Sequence, residues 1–128
     1  MAAVQGADLI CIPTNWVPMP EQPENLPVMA NILTMAAAHS NSFFIAAADR
    51  VGTERKQPFL GCSIILSHTG WPLAGPASST QEEIIFADIN LSDARQKRVL
   101  NAFNQPLRYR RTDLYDETLG SGVKPSWY

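Results

Sequence analysis

The chain has 128 residues, 45% of them apolar and 17% charged, which fits one globular domain or part of one and excludes a disordered or collagen-like polymer. A net charge of -2 gives no general attraction to nucleic acid or anionic lipid, so small neutral substrates or protein partners are expected. Two cysteines make no disulfide framework, no basic stretch precedes the first apolar residues, and no apolar run reaches the ~20 residues of a membrane span, so the reading is a reduced cytoplasmic protein.

In chain order, residues 1–5 read as the last turn of a helix stopped by Gly6, and Leu9 to Ile12 form an apolar run ended by Pro13, predicting a strand buried on both faces. Five prolines between 13 and 27 make a long rigid loop. Asn25 is the expected N-cap of a helix in which Val28, Met29, Ile32, Leu33, Met35 and Ala36 recur at helical spacing, ending near His39. Phe43 to Ala48 and Cys62 to Ser67 predict two further strands, with a charged turn around 54–56 between them and the turn His68-Thr69-Gly70 after the second. Residues 71–79 read as a loop, and Glu83 to Ile89 as a fourth, well-covered strand. Ser92 or Asp93 would cap a last helix through Phe103, with Arg95, Lys97 and Arg98 on its exposed face, and 104–128 form a polar tail. This is an α/β layout without internal repeats, and a chain that opens in a helix end suggests a piece of a larger fold.

Few residues carry a chemical signature. Cys11 and Cys62 lie among isoleucines or beside glycine, with no base in view, and read as small core hydrophobes rather than nucleophiles. His39 and His68 stand on separate elements without metal-ligand spacing, so no metal site is expected. Glu82-Glu83 and Asp113 with Asp116 read as solvated acids, and Arg108, Arg110 and Arg111 around Tyr109 as a protein contact. No glycine pattern matches a dinucleotide fingerprint or a P-loop. Thr14-Asn15-Trp16 leaves the carboxyl end of the first strand, where open α/β sheets place their sites. Trp16 either walls a small-molecule pocket or packs on the prolines that follow it, and the residues leave both readings open.

GADLICIPTNW at 6–16 is similar to the segment after the nucleophile helix of the nitrilase superfamily, whose usual form is GAD, an apolar stretch and P-T-x-W. SFFIAAADRVGTE resembles that family's apolar strand followed by [ND]-R-x-G-x-E, through Asp49, Arg50, Gly52 and Glu54. FLGCSIILSHTGWPLA, EEIIFADINLSDAR and RYRRTDLY resemble its later segments in the same order, so the likeness covers about nine-tenths of the chain and is specific as a set. Asp49 stands where Asn is common, and His68-Thr69 replaces the usual Asp-Pro.

The resemblance implies part of a four-layer αββα sandwich of the nitrilase type, with 1–103 as the C-terminal part of a carbon-nitrogen hydrolase domain and 104–128 as an interface tail. It implies hydrolysis of amides, carbamoyl groups or nitriles by a Cys, a Glu and a Lys whose positions all precede Met1, so no residue here takes a catalytic role and no cofactor is called for. Thr14, Asn15 and Trp16 would lie near the substrate. Half a sandwich exposes an apolar face, so self-association or pairing with an N-terminal half is expected. The rival reading is a non-catalytic interaction module on the same scaffold.

Overall fold

The computed structural model describes residues 2–96, 98 and 101–111. It opens on a helical turn closed by a Schellman motif, in which Gly6 N–H donates to Ala3 O (3.1 Å) and Ala7 N–H to Ala2 O (3.0 Å). Gly6 takes the left-handed conformation that closure requires, with φ of 95°. Strand β1 (Leu9–Thr14) follows and runs parallel to β2 (Phe44–Asp49), from Leu9 opposite Phe44 to Thr14 opposite Asp49. The crossover between them is the proline loop and helix α1 (Met29–Asn41), so the two strands end at the same edge of the sheet.

The helix N-terminus differs from expectation. Val28 is the cap residue and has no side-chain cap. Instead Met29 N–H donates to Gln22 Oε1 (3.1 Å), a residue of the loop whose own amide reaches Pro23 O and Pro27 O. The helix runs two residues beyond His39 and closes on Ser42, whose left-handed backbone carries its N–H to Ala38 O.

After β2 the chain makes the hairpin β3 (Thr53–Glu54) and β4 (Gln57–Pro58), returns as β5 (Ile64–Leu66) antiparallel to β2, and adds β6 (Pro72–Ala74) antiparallel to β5. The order in the main sheet is β1-β2-β5-β6. On one face the rows Ile10, Ile45, Leu66 and Ile12, Ala47, Ile64 meet α1 through Thr34 and Ala38, and Ile45, Ile64 and Leu66 are at most 1% exposed. On the other face Cys11, Ala46, Ile65 and Ala74 form a row across all four strands that no described element covers.

That open face explains a correction. Strand β1 is an edge strand whose burial alternates, and Cys11 is exposed rather than a core residue. A second correction concerns 83–89, which pairs with no strand; Ile84 and Phe86 are 80% and 82% exposed. A strand needs a neighbour for its backbone, and here none of the described residues offers one. The last helix α2 (Leu91–Gln96) is capped by Asn90, whose Oδ1 accepts from Ser92 N–H (3.2 Å), and it does not continue through Phe103, because 101–104 form a hydrogen-bonded turn. Leu107 packs back on the core, and the acids Asp113 and Asp116, read as solvated, lie outside the described residues.

Candidate functional site

Because β1 and β2 are parallel, Thr14 and Asp49 finish side by side, and the chain leaving β1 as Asn15-Trp16 crosses in front of the Asp49 carboxylate. Trp16 N–H donates to Asp49 Oδ1 (2.8 Å), and Trp16 O accepts from Leu60 N–H (3.0 Å). Asp49 is itself anchored, its N–H donating to Ser63 Oγ (2.9 Å) and its carbonyl accepting from the same hydroxyl (3.2 Å). The loop backbone is thus pinned on one side to the end of β2 and on the other to Leu60, in the segment between β4 and β5. Burial pushes the Asp49 carboxyl above its ordinary value, opposed by the backbone amides of Trp16, Arg50 and Gly61 and by the Arg50 charge. Its Oδ2 is buried and accepts no hydrogen bond from the described residues.

The Trp16 indole lines open space, as one of the two readings expected, and packs on the core rather than on the prolines that follow it. It packs on the core beside Ile10 and Ile12 and also walls two open apolar grooves. One, of about 280 Å³, takes in Asn15, Met29 and Leu60, and the other, of about 350 Å³, runs between β1 and α1. Asn15 is exposed and Thr14 half-buried. Arg50 turns away from this edge, onto Glu54 Oε2 (2.7 Å) and over the Phe59 ring (4.4 Å).

The other candidates fall outside the loop. Burial and the nearby Asp49 carboxylate push the Cys62 thiol up, which keeps it protonated and disfavours a nucleophile. His39 contacts Thr69 O through Nδ1 (2.9 Å), and His68 stands edge-on to Phe44, so both serve the turn between β5 and β6. Glu83 Oε1 accepts from Ser78 N–H (2.7 Å). Among the described residues no group of three His, Cys, Asp or Glu side chains is placed to hold a metal, and no helix is long and apolar enough to cross a membrane.

The carbon-nitrogen hydrolase family model matches residues 1–99. The chain belongs to this family. A nitrilase of Pyrococcus abyssi is 38% identical over 113 residues, covering 88% of this chain and 39% of its own length. A carbon-nitrogen hydrolase from Helicobacter pylori superposes with a TM-score of 0.69 at 25% identity over 94% of this chain and 44% of its own. The amidase of Nesterenkonia sp., solved with butyramide, shares the fold with a TM-score of 0.65 at 24% identity, over 91% of this chain and 37% of its own. The chain therefore spans about two-fifths of the length of the nitrilase it matches.

Within this carbon-nitrogen hydrolase sheet, the departures from the usual motif are locally satisfied. Asp49 supplies through Oδ1 the acceptor that an Asn would, and Ser67 and Thr69 close the His68-Thr69 turn through their hydroxyls (2.6 Å). Sequence reasoning missed one contact of the family's GAD segment. Asp8 binds Arg95 and Arg98 of the last helix region, Arg98 at 2.7 Å, and Arg98 also donates to Ala7 O (2.6 Å). The hydrogen bond from Arg95 holds the Asp8 carboxyl below its ordinary range, with both arginine charges adding and burial opposing. Arg98 is therefore not on an exposed face: its side chain is 19% exposed. The only sequence signal was an acid directly before an apolar strand and unpaired bases some ninety residues on.

Proposed function

We propose that this chain is the C-terminal portion of a carbon-nitrogen hydrolase acting on non-peptide C–N bonds of amide, carbamoyl or nitrile substrates. Residues 1–103 form the domain part and 104–128 an interface tail, in a reduced, cytoplasmic protein whose two thiols are free. The observation that carries the reading is the pinned loop at the shared carboxyl edge of β1 and β2, with Trp16 beside an apolar groove. Thr14, Asn15 and Trp16 bind substrate there, the indole excluding water and the fixed backbone setting its position. The attacking thiolate, the proton-moving Glu and the Lys that stabilises the tetrahedral intermediate come from an N-terminal half outside these residues. Butyramide bound to the Nesterenkonia amidase supports an amide as the first substrate to try.

The test is ammonia release from butyramide, a carbamoylated amine and a simple nitrile, by this chain alone and by the chain coexpressed with the upstream portion of the Pyrococcus abyssi nitrilase. Turnover is expected only for the pair, with Trp16→Ala raising KM. Turnover by this chain alone that Cys11→Ala abolishes refutes the proposal.

A further inference from the structure

The groove of about 280 Å³ beside Trp16 has walls that the fold ties in place. Gln22 joins the proline loop to α1, its Oε1 accepting from Met29 N–H (3.1 Å) and its Nε2 donating to Pro23 O and Pro27 O (both 3.3 Å). Trp16 is held at its N–H by Asp49 and at its carbonyl by Leu60. Between these ties the lining is Trp16, Met19, Met29, Leu33 and Leu60, and among the described residues no charged side chain lines it. The Gln22 amide is spent on the loop itself, so an ionic group entering the groove would give up its water with no partner to replace it. Asn15 is the lining residue next to the strand end; it is exposed, and its side chain makes no hydrogen bond with the described residues. A pre-formed apolar cleft with one uncommitted polar group at its edge sorts small ligands by their carbon skeleton.

We infer that this groove selects the substrate: it takes an amide whose acyl part is an uncharged hydrocarbon arm of about six carbons, with the carboxamide left at the strand edge beside Asn15. The inference deepens the proposed function and rests on it. Volume sets the length of the arm. A cavity of about 150 Å³ holds a six-carbon ring, so one of about 280 Å³ that opens to solvent takes such an arm and keeps water at its mouth. Butyramide, the ligand of the Nesterenkonia amidase, would fill only part of it. Met19, Met29 and Leu33 lie outside the motif segments that carry the family likeness, so this selection belongs to this chain. Each methylene that leaves water for the groove gains about two- to fourfold in binding.

The test compares acetamide, butyramide, hexanamide and 6-aminohexanamide as substrates of the coexpressed complex, carrying the parent chain, Leu33→Ala or Leu33→Asp. Leu33 is 61% exposed on α1, so neither change empties a core position. Expected in the parent are kcat/KM values that climb about two- to fourfold per methylene from acetamide to hexanamide, and a value for 6-aminohexanamide at least about tenfold below that for hexanamide. Leu33→Ala flattens the climb beyond butyramide. Leu33→Asp sets a carboxylate on the groove wall and moves the ratio of hexanamide to 6-aminohexanamide at least about fivefold toward the charged amide. That ratio is read within one preparation, so it is independent of how much of a variant folds or assembles. A complex that turns over butyramide but shows a flat or falling series, or equal use of hexanamide and 6-aminohexanamide, overturns the groove assignment and leaves the proposed function standing. A parent-like ratio in Leu33→Asp puts the arm elsewhere and overturns it as well. No turnover of any of the four amides overturns the proposed function and the groove assignment together.

Discussion

Replacing Asp49 with alanine deletes the acceptor that holds the Trp16 amide at 2.8 Å. A part-buried N–H left without a partner costs about 1–3 kcal/mol. The same change removes a carboxylate whose ionisation burial disfavours, and because Asp49 is partly exposed this relief is screened and offsets only part of the loss. The net is a local destabilisation of about 1 kcal/mol, which opens the loop about fivefold more often. Asp49→Asn keeps Oδ1 and stays within about 0.5 kcal/mol of the parent. Amide exchange at pH 7 reads this directly, with Ile45, 1% exposed in the sheet centre, as the reference for global opening. The expected result is about fivefold faster exchange at Trp16 in Asp49→Ala and not in Asp49→Asn, with Ile45 accelerated by no more than the same factor. Equal acceleration in both variants, or none in the alanine variant, refutes the argument that one oxygen pins the loop. The pH dependence has a definite sign. A carboxyl raised by folding gives stability that is present below its ordinary value and lost as pH rises through the raised one, so Asp49→Asn removes that decline from the stability curve.

Leu66→Ala, at a fully buried position beneath α1, costs about 2–5 kcal/mol in urea unfolding; a loss under about 1 kcal/mol would show that the sheet centre is not the core. Asp8 titrates in the opposite sense to Asp49: its pairing with Arg95 and Arg98 contributes above the ordinary carboxylate value and is lost as pH falls through the depressed one, so Asp8→Asn should flatten the acid limb of unfolding. In the free chain an alkylating reagent should label exposed Cys11 ahead of half-buried Cys62, and pairing with an N-terminal half should protect Cys11; mass spectrometry of timed samples checks both.

The elements legible in the sequence are those whose cause is local. The Gly6 closure, α1 and the strands around Ile45 and Ile64 follow from one glycine, one helical period and two apolar runs. Hairpin β3–β4 was hidden because its two-residue turn uses Arg55 and Lys56, at φ of 49° and 71°, where Asn-Gly is the usual signal. Strand β6 looks like a loop in the sequence because Pro72 opens it and Gly75 follows it, although an edge strand tolerates both. The Gln22 cap and the Asp8 contacts join residues that no sequence window holds together. At the candidate site, the position of Thr14 to Trp16 at a strand end was readable, but the bond that fixes the loop crosses to another strand, 33 residues away.

The union of Asp8 with Arg95 also bears on how the protein is made. Its partners are 87 positions apart, and a ribosome adding about 5–20 residues per second needs roughly 4–17 s to cover that interval. Until Arg95 and Arg98 are added, Asp8 lacks both of these partners, and the strands that extend the sheet from the first one are themselves still being made. The nascent chain thus spends seconds with an open edge, a window in which a chaperone or a partner already present has first access.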